Sequence, residues 1–152
     1  MPRPDRIGHL VLNVSDLAAS EAFYAGVLGF EVVSRLQKPR AVFLTLGSQH
    51  HDLALFEVAG ARKPRDNGLH HFALHLEDGA ALRQCHAALR DLNVEILRAV
   101  DHGTTHSFYV EDPDSNRIEL YCDARPDALA FARRRKLSSI DEFPALELGG
   151  RD

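Results

Sequence analysis

Residues 50–57, HHDLALFE, set two histidines, an aspartate and a glutamate around a short apolar alternation. Other imidazoles are scattered along the chain, among them His9, His70, His71, His75, His102 and His106, and a carboxylate, Glu119, sits inside the apolar run RIELY. Imidazole with carboxylate is a donor set for divalent transition metals, and imidazole is also the side chain whose ordinary pKa lies near neutrality. The candidate chemistry is therefore metal binding with proton transfer. Which of these groups meet depends on the elements that carry them.

IGHLVLNV at 7–14 alternates as a strand, with His9, Val11 and Asn13 on one face and Leu10, Leu12 and Val14 on the other. Ser15 or Asp16 can cap the helix LAASEAFYAGVL, which stops at Gly29 and puts Leu17, Phe23, Tyr24 and Leu28 near one stripe. FEVVSRL, AVFLTL and DLALFEV follow as strands, so the first module reads β-α-β-β-β. After the polar stretch ARKPRDNG the order recurs. LHHFALHLED is a strand, and ALRQCHAALRDL a helix with Leu82, Cys85, His86 and Leu89 at i, i+3, i+4 and i+7. VEILRAV, HSFYVED and RIELYC are strands.

Spacing supports a duplication. His9 precedes Asp16 by seven residues and His71 precedes Asp78 by seven; LGFEV at 28–32 matches LNVEI at 92–96, and LALF at 53–56 matches IELY at 118–121. A half-unit cannot close its own core, so two sheets are expected to pair around a shared cleft, within one chain or with a second one. Equivalence under the repeat selects His9 and His71 as partners. Strand alternation turns His70 to the opposite face from His71, and His75, on the same face as His71, matches Asn13 and reads as rim.

The third member comes from a hairpin. Symmetric pairing about DPDSN puts Val110 opposite Ile118 and Tyr109 opposite Glu119. A carboxylate beside a phenol on that face is costly unless a cation meets it, and a divalent metal shared with His9 and His71 would do so. Two imidazoles and one carboxylate leave coordination positions open, the arrangement of non-haem iron(II) enzymes. The ordinary alternative is an ion pair of Glu119 with Arg117 or Arg35.

GHLVLNVSDLAASEAFYAGVLGFEVV and LHHFALHLEDGAALRQCHAALRDLNVEI, with FYVEDPDSNRIELY closing the second unit, resemble the vicinal-oxygen-chelate superfamily. Its members include glyoxalase I, fosfomycin-resistance proteins, bleomycin-binding proteins and type I extradiol (catechol 2,3-dioxygenase-like) dioxygenases. The resemblance covers residues 6–123. It implies an α+β fold, two paired βαβββ modules forming a curved mixed sheet around a metal cup, with His9, His71 and Glu119 as ligands.

Aligning LALF with IELY puts Ala54 at the place of Glu119, where glyoxalase I has a fourth ligand, and alternation turns Glu57 to the other face. HHDLAL resembles the HDxAL stretch of the extradiol enzymes, which carries an acid/base role at the dioxygen side to His51, with His50 as rim. The tyrosine ten positions before the glutamate ligand carries to Tyr109. DHGTTHSFY resembles the HxxxxSFY region, which carries a substrate-side histidine to His102, with His106 as the alternative. The family's DPDGN reads DPDSN here, so Ser115 or Asn116 takes any positive-φ position.

The resemblance thus implies an iron(II)-dependent extradiol dioxygenase, with manganese(II) as the alternative metal, acting on a catecholic substrate with dioxygen. Other metal-dependent reactions on the scaffold (glyoxalase-like or thiol-transferring resistance enzymes) and non-enzymatic small-molecule binding are the competing readings. The net charge of −4 gives no attraction for nucleic acid or anionic lipid, and no segment reads as a signal peptide or membrane span. Cys85 and Cys122 form no CxxC pair, so a reducing cytoplasm is expected. A homodimer is expected from the sheet edges of two small units. The expected organisation is one domain over 1–123 (module one 6–58, linker 59–68, module two 69–123) and a tail over 124–152, starting in a short helix and serving as a surface strap.

Overall fold

The computed structural model describes residues 6–60, 69–134 and 144–148. The expected linker residues 61–68, and 135–143 and 149–152 of the tail, lie outside the described residues. The chain divides into two compact units, Met1–Pro64 and Arg65–Asp152.

In the first unit β1 (Leu10–Val14) is followed by α1 (Leu17–Glu21), β2 (Glu31–Gln37), β3 (Arg40–Thr45) and β4 (Leu53–Glu57). The sheet order is β1-β4-β3-β2, with β1 parallel to β4 and the other pairs antiparallel. Asp16 caps α1 by accepting from the Ala19 N–H at 3.0 Å. Beyond Glu21 the helix widens into a π-helical stretch, Ala22–Val27, in which the Leu28 N–H reaches back to the Phe23 carbonyl. That widening differs from the expected single α-helix: Leu17, Ser20 and Tyr24 are the buried side chains of this segment, while Phe23 and Leu28 are half-buried. Leu12, Val14, Val42, Leu44, Leu53 and Leu55 alternate onto one face of the sheet and are buried. Each contributes on the order of 1.5–3 kcal/mol over leaving it in water, which is what fixes the inward face.

The second unit repeats the plan. β5 (Phe72–His75), α2 (Gly79–Asp91), β6 (Arg98–Asp101), β7 (Thr105–Glu111) and β8 (Arg117–Asp123) give the sheet β5-β8-β7-β6, with β5 parallel to β8. Asp78 caps α2, accepting from the Ala80 and Ala81 N–H groups. Leu82, His86 and Leu89 are the buried residues of α2, which packs on β7 and β8, where Phe108, Val110, Ile118, Leu120 and Cys122 are buried. Two strands are shorter than the alternation suggests. VEILRAV is a strand only from Arg98, because Arg98 opposite Tyr109 is the first rung of its ladder. LHHFALH is a strand only from Phe72.

The chain is thus α+β, with two βαβββ units and a four-stranded mixed sheet in each. In the tail, α3 (Ala128–Arg134) forms where the sequence suggested a short helix. Residues 144–146 lie along β6, with Val100 bridged to Ala145 and the Asp101 N–H donating to the Pro144 carbonyl at 3.0 Å. Among the described residues no helix is long and apolar enough to cross a membrane.

Candidate metal centre

In the second unit the hairpin register is the expected one: Val110 faces Ile118 and Tyr109 faces Glu119. The turn holds because the Asp112 carboxylate accepts from the Asp114 and Asn116 N–H groups and from the Asn116 side chain, while Ser115 takes the left-handed φ of +61°. On the other side of β8, Ala73 of β5 pairs with Glu119. His71 lies two residues before Ala73, on the same side, and its Nε2 stands 3.1 Å from Glu119 Oε2. The arginine alternatives fall away: Arg35 pairs with Glu21 at 2.5 Å, and Arg117 lies 3.8 Å from Glu111.

His102 completes the polar cluster. Its Nε2 is 2.9 Å from the Tyr109 hydroxyl and 3.8 Å from Glu119 Oε1. Burial pushes the His102 pKa below its ordinary value, with Glu119 opposing, so the ring is held toward its neutral form. Burial and the Glu119 charge push the Tyr109 phenol up to about 12, so it remains a donor. His106 alternates to the other face of β7 and stands 3.7 Å from Asp101. The His102 side chain, not that of His106, is the one brought to Tyr109.

His70 is a correction. The strand starts at Phe72, so alternation does not reach back to residue 70, and His70 Nδ1 contacts His71 Nδ1 at 2.6 Å. It lines a cavity with Tyr109 instead of facing away from it. His75 is exposed and stacks edge-on against Tyr121.

In the first unit Val11 pairs with Ala54, and His9 lies two residues before Val11. Val11–Ala54 therefore corresponds to Ala73–Glu119, and His9 to His71. The β3–β4 loop brings His51 to His9, with ring centroids 4.4 Å apart, and sets it edge-on to Phe43 at 5.2 Å. Burial, then the neighbouring His50 and His9, push the His51 pKa below its ordinary value. His50 is exposed and contacts His51 through Nδ1. Glu57 is turned to the helix side: it accepts from the Leu17 N–H at 3.2 Å and forms an ion pair with Arg40.

Among the described residues no three His, Cys, Asp or Glu side chains stand close enough together to form a ready metal cage. The second unit sets an imidazole and a carboxylate facing each other, donor types that suit a divalent metal. In the first unit His9 holds the place equivalent to His71. The Glu119 carboxylate is only 12% exposed and faces imidazoles, one of them held neutral, so its charge lacks a full counterion in the pairs around it. Sequence reasoning missed Arg98, whose guanidinium lies 4.7 Å over the Tyr109 ring. Only the β6–β7 register brings those two together.

The profile of the Glyoxalase/Bleomycin resistance protein/Dioxygenase superfamily matches residues 6–120, and the chain belongs to that superfamily. It is 38% identical over 122 residues to "Biphenyl-2,3-diol 1,2-dioxygenase 3" of Rhodococcus globerulus, a match covering 78% of this chain and 63% of that protein. It is 31% identical to "Probable lactoylglutathione lyase" of a Synechocystis strain, over 74% of this chain and 91% of the relative. The solved lactoylglutathione lyase from Agrobacterium tumefaciens superposes with a TM-score of 0.65 at 27% identity, over 80% of this chain and 96% of that one. The chain thus spans less than two thirds of the length of the dioxygenase relative.

Proposed function

We propose that the protein is an extradiol dioxygenase that holds iron(II) through His9, His71 and Glu119 and cleaves a catechol-type ring beside its vicinal diol. The observation that carries this reading is the His71–Glu119 pair with Tyr109 and His102 on one sheet face: two ligand types beside a phenol donor and a neutral imidazole. Alanine at position 54, where a further carboxylate would make a fourth ligand, favours a centre with open positions. Likeness to the biphenyl-diol dioxygenase supports the same choice.

Bound iron(II) would supply a redox-active Lewis acid at which a vicinal diol and dioxygen meet. The chain's own groups then divide the proton work. His102, kept neutral by burial, is placed to take a proton from a substrate hydroxyl through its ring nitrogen. Tyr109 keeps its proton and donates a hydrogen bond toward substrate oxygen as negative charge develops there. His51, against Phe43 and next to His9, is the candidate acid/base at the dioxygen side. The balanced reaction adds both atoms of one dioxygen to one catechol, giving a ring-opened product with an acid and a carbonyl. Residues 1–123 are taken as the catalytic core and 124–152 as an appended tail, in a cytoplasmic homodimer.

The test is anaerobic loading with iron(II), followed by oxygen-electrode assay over a panel of catechols. One dioxygen consumed per catechol with a yellow ring-fission product is the expected result. No uptake with any catechol, together with stoichiometric zinc or nickel in freshly purified protein, would instead favour the glyoxalase-like reaction suggested by the match over 91% of the lyase relative.

A further inference from the structure

Beside Tyr109 the second unit contains a cavity of about 400 Å³ lined by His70, Leu97, Arg98, Tyr109 and Arg117. Its polar lining is cationic or neutral. Arg117 stands two residues before Glu119 on β8, so it projects from the same face roughly 7 Å further along the strand. Its Nε is buried without a hydrogen-bond partner, and its Nη2 lies 3.8 Å from Glu111, too far for a hydrogen bond. A buried guanidinium N–H is costly to leave unpaired, which makes it a donor awaiting an acceptor. Arg98 enters from β6, opposite Tyr109 in register and over its ring. Two planar guanidinium groups lining one cavity from β6 and β8, the strands on either side of β7, match the geometry of a carboxylate better than that of a neutral substituent. Leu97 and the Tyr109 ring provide an apolar wall for a flat group.

We infer that this cavity is a carboxylate subsite, and that the aromatic substrate carries an anionic side group received by Arg98 and Arg117 while its reacting end lies toward Glu119. The substrate class becomes aromatic acids. The identity of the reacting end rests on the ring-cleavage reading; the carboxylate preference does not.

The test separates the two. Calorimetric titration of the protein with phenylacetate and with phenylacetamide, which share shape but not charge, reads the subsite without any turnover. The acid should bind at least about tenfold tighter than the amide, as a charge-assisted pair requires. Arg98→Gln and Arg117→Gln should each cut that preference about tenfold. A purely structural Arg117 would weaken acid and amide alike on substitution and leave their ratio unchanged, and if Arg117→Gln fails to fold, Arg98→Gln still decides. Acid and amide binding alike, or a preference that survives in both variants, overturns the subsite; the latter result would mean that the carboxylate binds the metal instead. Oxygen uptake with catechol and with 3,4-dihydroxyphenylacetate then reads the reaction. A carboxylate preference lost in the variants but no uptake from either compound overturns ring cleavage and leaves the subsite standing. Equal uptake from both with no binding preference does the reverse.

Discussion

His71 Nε2 faces Glu119 Oε2 at 3.1 Å beside the parallel pair β5–β8, whereas at the same step of the repeat in the first unit, two residues after His9, the partner of Val11 is Ala54. The duplicated scaffold thus keeps the histidine twice and the carboxylate once. Glu119→Gln should retain the shape of the site while removing the charge that offsets a divalent cation. Loss of a ligand should weaken metal retention by more than the roughly 10–100-fold that outer-shell partners command. Metal analysis after dialysis against a fixed chelator measures this, and undiminished iron in the variant would remove Glu119 from the ligand set.

His51 tests the opposite property. It touches His9 and Phe43 but is assigned proton handling, so His51→Ala should keep its iron and lose turnover by about 10²–10⁴-fold, the range for a positioned acid/base. Paired metal and oxygen-uptake measurements on one preparation separate the cases. A variant that turns over at the parent rate would show that the proton moves elsewhere.

What could be read from the sequence follows the range of the interactions. Asp16 and Asp78 were legible as caps because capping joins residues two or three apart. The Tyr109–Glu119 register was legible because a short loop pins it. Alternation failed at His70 and at Val94–Leu97, where it ran on past the last ladder rung; where a strand ends is decided by its partner, not by its own residues. The π-helical turn at Ala22–Val27, the pairing of residues 144–146 with β6 and the approach of Arg98 to Tyr109 depend on tertiary packing, and no local pattern announced them. For the site, the repeat named His71, the hairpin register set Tyr109 beside Glu119, the family resemblance named His102, and the structure gathers these four in one unit. The arginines beside them required the fold.

Tyr109 lies 2.9 Å from His102 Nε2 and is nearly fully buried, so removing its hydroxyl changes little packing. Tyr109→Phe should fold and bind metal as the parent does. Its kcat should fall about 10–100-fold, in line with or somewhat below the loss of one preorganised donor to developing charge. KM should move far less, because the bond strengthens as charge develops. A change confined to KM, with kcat intact, would assign the hydroxyl to ground-state binding.

The loop that carries His51 is fastened by Asp52, whose carboxylate accepts from the Leu46 N–H at 2.7 Å, the Thr45 hydroxyl at 3.0 Å and the Gln49 side chain. Burial alone would raise its pKa; the bonds from Leu46, Gln49 and Thr45, with the His51 charge, outweigh that and hold it below the ordinary value of 3.8. A folded-state pKa below the unfolded one means that folding favours the carboxylate. Its contribution is complete above the unfolded value and is lost as pH falls through the folded one. Asp52→Asn should therefore melt lower than the parent at pH 7, by a few degrees for a loss of about 1–2 kcal/mol. The gap should begin to close as the pH falls below about 4, where the unfolded chain takes up the proton, and go on closing as the pH falls toward the lower folded pKa. Melting curves followed by circular dichroism from pH 7 to pH 3 measure it, and a gap that stays constant over that range would mean that the loop is held by geometry shared by aspartate and asparagine, with charge playing no part.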